Sequence, residues 1–444
     1  MIEPTERTLW LLVLVAAVGA LGMVAPPVGD AAPFVLAGAA AALLADALLA
    51  GSPRRLSVTR LLPEQIVEGR ACELALALQS ESAVDAALVD TLPVAALPAG
   101  GDQHPSHHVV LAARSSVRLA TTVTFVGRGS HRLGRLAVRT RGPLGLVRRR
   151  ARLPLDTDIE VLPDVARIGA RAERLLRGRD AEAGSRRRVL RDGREFDSLR
   201  DYQRGDDPRL VEWKQSARRG QLIVKKLKPE TRQDIVIAVD AGRHLAGTHD
   251  VVDGGEPRFD VAVTAALTLA AAGLARGDRL SFACFAADVL AWAPPAVGRG
   301  ALRRFADTSR EVRALAEEAD YGALARFLVA RQKRRAMVCV VTDVLDEPSV
   351  RGLAGAVAML RGRHLPVVLA LGDPALARLA RAAADGETKT ERLIPEAAAR
   401  LLGHRKKGLA ALEAAGAVVV DAQAPRAAAL AVETYVTLKA QGRL

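Results

Sequence analysis

Asp234-Ile235-Val236-Ile237-Ala238-Val239-Asp240 decides the fold of the C-terminal half. Its apolar core is bounded by carboxylates and shows no alternation, which predicts a strand buried on both faces. Similar runs recur at Arg279 to Phe285, Ala336 to Asp343, Leu365 to Leu371 and Ala417 to Asp421. Amphipathic stretches at Asp260 to Ala275, Glu347 to Gly362, Pro374 to Ala384 and Ala424 to Ala440 supply the helices. Strands of this kind joined by helical crossovers predict an α/β doubly wound, Rossmann-like parallel sheet over residues 233–444. In such a sheet a ligand belongs at the carboxyl ends of the strands, where Asp240 and Asp343 fall.

Upstream, over residues 55–165, the grammar is different. Short runs of period-two character, Cys72 to Leu78, His108 to Leu111, Val117 to Phe125 and Leu133 to Val138, are separated by Gly, Pro and Ser. They predict an antiparallel β-sandwich, immunoglobulin-like in architecture but without a Cys-Trp-Cys core. His104, His107 and His108 cluster beside Pro105 in what reads as a loop. With no carboxylate or Cys at ligand spacing, a metal is not their expected occupant.

Residues 1–54 hold two apolar stretches. Leu9 to Ala25 is uninterrupted, and Ala31 to Ala50 carries Asp46 as its only charge. Each approaches the roughly 20 residues that cross a bilayer. The connector Pro26 to Asp30 has no Lys or Arg, whereas Arg7 precedes the first stretch and Arg54, Arg55 and Arg60 follow the second. The positive-inside rule then predicts a transmembrane helical hairpin in the cell inner (plasma) membrane, with both ends and the soluble part cytoplasmic. A cleaved signal peptide fits less well, because two Glu oppose one Arg in its n-region and the second stretch is left unexplained. Asp46 lies near the cytosolic end of its span and reads as an interfacial charge.

The net charge of +14 and pI near 10.4 would suit a phosphate-bearing partner, yet Arg is interleaved with Asp and Glu and only 3% of residues are aromatic. A nucleic-acid groove needs stacking rings beside its basic stripe, so nucleic acid is an unlikely partner. Cys72, Cys284 and Cys339 are odd in number and far apart, which implies no disulfide framework.

Between the two soluble regions lies a charged segment, residues 166–232. Here Arg194, Arg200, Arg204, Arg209 and Arg218 alternate with Glu195, Asp197, Asp201, Asp206, Asp207 and Glu212. Balanced charge predicts an ion-pair network or a docking face, not a phosphate cradle. Gly205 to Pro208 has turn chemistry, and Trp213 offers a ring on which a guanidinium can stack.

Gly193, Glu195, Phe196, Leu199, Arg200, Tyr202, Gly205, Asp206, Asp207, Arg209, Trp213, Ser216, Ala217 and Arg218 form an ordered pattern. It resembles the signature of the bacterial family called domain of unknown function fifty-eight. The resemblance covers the whole chain, because that family also has two N-terminal transmembrane helices and a von Willebrand factor A-like domain after the signature. Its β-rich region ends in a turn like Arg141-Gly142-Pro143-Leu144-Gly145-Leu146. It implies a membrane-associated partner of MoxR-type AAA+ ATPases, with a chaperone-like or assembly role. The expected partner-binding residues are Arg194, Glu195, Phe196, Arg200, Tyr202, Gly205, Asp206, Asp207, Arg209, Trp213 and Arg218. The competing expectation is that they cement the β-region onto the α/β domain.

A von Willebrand A domain typically holds Mg²⁺ through an Asp-x-Ser-x-Ser turn, a Thr and a second Asp. The turn here is Asp240-Ala241-Gly242-Arg243-His244, without either hydroxyl. Asp343 matches the second Asp, but the stretch around Asp320, Tyr321 and Gly322 lacks the Thr. The expected state is a degenerate metal site without Mg²⁺ or other cofactor, its carboxylates neutralised by Arg243. There is no G-x-x-x-x-G-K-[ST] loop, H-E-x-x-H or G-x-S-x-G elbow, so the chain is expected not to be an enzyme. The alternatives are a metal-assisted enzyme built on Asp240, Asp343 and His244, and an electrostatic membrane or nucleic-acid binder.

Overall fold

A computed structural model describes residues 2–183, 195–203, 210–228, 232–247, 257–381 and 389–444. They divide into two compact units, Met1–Asp164 and Val165–Leu444.

The first unit opens with a short strand, β1 (Ile2–Pro4), and two apolar helices, α1 (Glu6–Gly22) and α2 (Pro26–Leu49). Pro occupies the first positions of α2, where its missing N–H is no loss. The helices meet closely at their linked ends, where a Cβ on Gly22 would lie 2.8 Å from the Gly29 Cα. Pro27–Leu49 is long and apolar enough to cross a membrane and is almost entirely exposed. The 24 residues of α2 extend about 36 Å, against ~30 Å of hydrocarbon. The 17 residues of α1 extend only about 26 Å.

The strands of this unit are β2 (Leu56–Leu61), β3 (Ile66–Val67), β4 (Ala71–Ser80), β5 (Val84–Asp90), β6 (Ala96–Pro98) and β7 (Ser106–Leu111). They continue as β8 (Ser115–Phe125), β9 (Gly129–Leu133), β10 (Leu136–Arg141), β11 (Val147–Leu153) and β12 (Thr157–Leu162). Two antiparallel sheets, ordered β1-β11-β10-β5-β7 and β2-β4-β8-β6, share one apolar core. Leu76 and Leu78 of the second sheet pack there with Leu88 and Val138 of the first. A third sheet, β3-β12-β9, adds a core around Phe125 and Val161. His107 and His108 lie on β7, not in a loop, and their rings point to opposite faces: His107 contacts Thr121 Oγ1 at 2.9 Å and His108 pairs with Asp85 at 2.7 Å.

Asp46 is fully buried, which corrects its reading as an interfacial charge. Its Oδ1 accepts from the Leu144 amide at 2.7 Å, and its Oδ2 from the amides of Leu146 at 2.7 Å and Val147 at 2.8 Å. The turn from Gly142 to Leu146 has no ladder to satisfy these N–H groups, and the carboxylate supplies what the sheet cannot. A Cβ on Gly142 would come within 2.5 Å of the Asp46 carboxylate carbon. From α1, the Thr5 hydroxyl donates to the Gly145 carbonyl at 2.7 Å and the Thr8 hydroxyl to the Leu146 carbonyl. Both helices therefore grip one turn.

The second unit begins with α3 (Val165–Ala183), followed by a module of β13 (Glu195–Asp201), α4 (Trp213–Arg219) and β14 (Ile223–Lys228). Then come β15 (Asp234–Asp240), α5 (Arg258–Ala275), β16 (Arg279–Phe285), β17 (Val289–Ala296), α6 (Gly300–Arg310) and α7 (Tyr321–Arg331). The chain finishes with β18 (Met337–Thr342), α8 (Glu347–Arg361), β19 (Leu365–Gly372), α9 (Pro374–Arg381), α10 (Lys389–Ala415), β20 (Val418–Gln423) and α11 (Ala424–Ala440). The sheet order is β17-β16-β15-β18-β19-β20, parallel except for β17. Helices α3, α5, α6 and α11 cover one face and α7, α8 and α10 the other. Helix α5 also has the length and composition of a membrane span, but it is buried in this core. The order reverses between β15 and β18, so the crevice of a doubly wound sheet opens where Asp240 and Asp343 stand.

Candidate functional site

Asp240 ends β15, and both its oxygens are taken. Oδ1 accepts from the Gly242 amide at 2.7 Å, and Oδ2 from the Thr342 hydroxyl at 2.6 Å and the Tyr321 hydroxyl at 2.9 Å. Burial pushes the Asp240 carboxyl above its usual range in spite of these hydrogen bonds. Burial, and then the adjacent Asp240, push the Tyr321 phenol well up, so it stays a proton donor. Tyr321 opens α7, in the stretch where a Thr would complete a metal site, and its hydroxyl reaches the carboxylate in place of a cation.

Asp343 follows β18 and is also fully buried. Its Oδ1 accepts from the Val344 amide at 2.7 Å and from Arg405 Nε at 3.1 Å, while Oδ2 takes the Arg258 guanidinium. Arg405 continues to Asp421 Oδ1 at 2.7 Å and to the Ala370 carbonyl at 3.2 Å. The strand ends are thus tied by a network of two guanidiniums and two carboxylates, buried at Arg258, Asp343 and Arg405 and reaching the surface at Asp421.

Arg243 does not neutralise Asp240 or Asp343. Its guanidinium lies between Glu318, at 2.7 Å, and Asp346. It leaves the turn in the other direction because the Gly242 backbone holds Asp240 while the Arg243 amide donates to the Glu317 carbonyl at 2.8 Å. His244, Glu318 and Asp346 bring ligand atoms within 4.8 Å of one another, but the Arg243 cation spans the two carboxylates and His244 Nε2 lies 2.8 Å from Ser349 Oγ. Burial pushes Asp346 up, yet the Ser349 hydroxyl and amide, His244 and Arg243 outweigh it and hold the carboxyl below its usual range.

Neither group suits Mg²⁺, which demands near-octahedral oxygen ligands with several waters. Asp343 is committed to two cations of the protein itself, and Asp240 to three internal donors. The sequence missed Arg258, Arg405 and Asp421. One signal was present: Arg258 opens a core helix whose one other charged residue is Asp260, and a cation there needs a buried partner. Arg405 sits in the basic run of α10 and has no such mark.

Of the signature residues, Arg194, Gly205, Asp206, Asp207 and Arg209 lie outside the described residues. Glu195 and Phe196 lie on β13, and Arg200 Nη1 donates to the Asp201 carbonyl at 3.2 Å. Tyr202 is half-buried, and its amide donates to the Leu222 carbonyl at 2.9 Å. Trp213 and Arg218 lie on α4 and are exposed, Trp213 to 68%. Ser216, on the same helix, is buried; its hydroxyl donates to the Glu212 carbonyl at 2.9 Å and accepts from the Ile223 amide at 2.9 Å.

A doubly wound α/β domain with internally paired strand-end carboxylates, in a chain that opens with an apolar helical pair and antiparallel sheets, defines the class. Residues 198–401 match the family described as protein of unknown function DUF58, and the chain carries a domain of that family. Uncharacterized protein YeaD of Bacillus subtilis (strain 168) is 29% identical over 127 residues, 29% of this chain. The match spans about a third (32%) of that relative's length. Among solved structures, the conserved hypothetical protein BatB from Bacteroides thetaiotaomicron is 16% identical, with a TM-score of 0.31, over 47% of this chain and 99% of its own. An aerotolerance-related membrane protein from Bacteroides fragilis NCTC 9343 is 14% identical, with a TM-score of 0.29, over 46% of this chain and 98% of its own.

Proposed function

We propose that the chain is a membrane-anchored, cytosol-facing binding platform that works with a MoxR-type AAA+ ATPase in the assembly or maturation of client complexes. Its helical pair is the anchor in the inner membrane, its β-rich unit a sandwich, and its C-terminal region a von Willebrand factor A-like domain without a working metal site. We read it as a binding protein and not an enzyme, because the buried strand-end carboxylates already accept three hydrogen bonds each from donors of the protein itself.

The exposure of Trp213 carries the docking assignment. A large ring left in water beside a buried, bonded Ser216 separates the two roles within one helix: Ser216 cements the module, and Trp213 remains for a partner. Trp and Arg are the side chains on which binding energy concentrates at protein interfaces, and Arg218 shares the helix.

The test is a pull-down from membranes of the native host with ATP and Mg²⁺, comparing the full-length protein with its Trp213→Ala variant. Capture of an AAA+ ATPase by the wild type and its loss in the variant is the expected result. No ATPase with either protein removes the partner from this reading, and equal capture removes Trp213 from the docking face.

A further inference from the structure

The first sheet has an outer face unlike the rest of its unit. On β10, Leu136, Val138 and Thr140 are buried, so Arg139 and Arg141 lie on the outer face, Arg139 exposed and Arg141 half-buried against the turn at Gly145. On β11, Arg150 stands directly opposite Arg139, and Arg148 opposite Arg141, with Arg152 next along the same face. Two consecutive Arg–Arg pairs across neighbouring strands are unfavourable in isolation, because like charges that stand directly opposite repel. Of the acidic groups on this face, Glu3 reaches Arg150 at 4.0 Å, and Asp85 turns to His108 at 2.7 Å. Among the described residues no carboxylate pairs with Arg139, Arg148 or Arg152. In the register Glu3 stands opposite Arg148 and Asp85 opposite Arg141, so the sheet answers the positive charge of this face only in part.

Its position supplies the reason. Strand β11 begins at Val147, whose amide donates to Asp46 at the last turn of α2. Arg148 is one residue from that contact and Arg150 three, roughly 3 and 10 Å along an extended strand. The headgroup layer beyond the hydrocarbon is about 5 to 7 Å deep on each side. An arginine side chain reaches several ångströms further, so guanidiniums on this strand stand at phosphate depth if α2 spans the bilayer. Guanidinium suits such a site, because its planar fork bonds two phosphate oxygens at once.

We infer that the outer face of β10 and β11, formed by Arg139, Arg141, Arg148 and Arg150, binds the phosphate groups of anionic phospholipids in the leaflet that α2 leaves. The inference rests on the anchoring role of the helical pair. Lipid phosphates relieve the repulsion across the Arg139–Arg150 and Arg141–Arg148 pairs, and the sheet is held against the membrane in one orientation instead of hanging from a tether.

The test uses the full-length protein in nanodiscs of phosphatidylcholine alone and of phosphatidylcholine mixed with phosphatidylglycerol. Co-elution with the discs reports anchoring. Arginine-specific labelling with phenylglyoxal, read peptide by peptide by mass spectrometry, reports cover, with Arg351 as the reference. Labelling at Arg139 and Arg148 is expected to slow about fivefold in the phosphatidylglycerol discs, and to recover in high salt. A variant carrying Arg139→Gln, Arg148→Gln and Arg150→Gln is expected to enter both discs equally and to lose its enrichment of phosphatidylglycerol. Equal labelling in both discs by a protein that has entered them overturns the lipid site and leaves the anchor standing. Failure to enter either disc overturns the anchor, and the lipid site with it.

Discussion

Arg258 places its guanidinium on the carboxylate of Asp343 from 85 residues away in the chain, and both side chains are buried. The bond joins the first turn of α5 to the end of β18, across the point where the strand order reverses. It replaces at that point the cation that a strand-end pair of carboxylates would otherwise attract.

Removing Arg258 leaves the buried Asp343 with Arg405 as one cation in place of two. Arg258→Met is expected to destabilise the α/β unit by about 3 to 5 kcal/mol, whereas Arg258→Lys, which keeps a cation beside Asp343, loses less. Thermal unfolding of the full-length protein in detergent measures both. A lysine variant as unstable as the methionine one would show that the charge pairing is not the source of the loss.

Asp240 carries a pH signature of definite sign. Its folded pKa lies above the unfolded value, so the native state binds the proton more tightly in the window between the two. Stability from this group is present at low pH and is lost as pH rises through the folded pKa. Asp346 has the opposite sign: its contribution is present above the unfolded pKa and is lost as pH falls through the depressed folded one. The difference in melting temperature between Asp240→Asn and the wild type is expected to grow from acid to neutral pH in favour of the variant. A difference that stays flat across that range contradicts the buried-acid reading.

The same site makes a prediction about Mg²⁺. Millimolar Mg²⁺ is expected to leave the melting temperature unchanged, because Asp343 is paired twice and Asp240 receives three donors. A rise with Mg²⁺ that disappears in Asp240→Ala would overturn this.

Within the signature segment, stability and binding are expected to separate by residue. Ser216→Ala removes the hydroxyl that receives the buried Ile223 amide and is expected to lose about 1 to 3 kcal/mol. Trp213→Ala, at an exposed position, is expected to stay within about 0.5 kcal/mol of the wild type. Chemical denaturation distinguishes the two, and a large loss in Trp213→Ala would make it a cementing residue.

The parallel sheet was legible because its strands are apolar runs with polar ends: Asp234–Asp240 and Arg279–Phe285 have the expected bounds. Strand β17 was not, since Pro294 and Pro295 read as a break and are tolerated only because the strand forms an edge. Helix α3 hid inside a basic stretch; only Ile168, Ala172 and Leu176, at helical spacing, mark its buried stripe. At the site, Asp240 and Asp343 could be found as strand ends. Their partners could not, because Arg258 and Arg405 approach from 85 and 62 residues away and no local pattern encodes such a meeting. Arg243 misled because nearness in sequence says nothing of the direction in which a side chain leaves a turn.

The grip of Asp46 on the turn after Gly142 also orders events during synthesis. Asp46 and Leu144 are 98 residues apart, so α1 and α2 leave the ribosome long before the turn they hold exists. Strand β1 waits equally, since its ladder is with β11. The helices must be placed first and the sheet closed onto them afterwards. A ribosome-bound chain halted before residue 142 would therefore carry a helical pair whose Asp46 carboxylate still lacks its three amide donors, and the passage of that turn marks the moment at which the unit becomes complete.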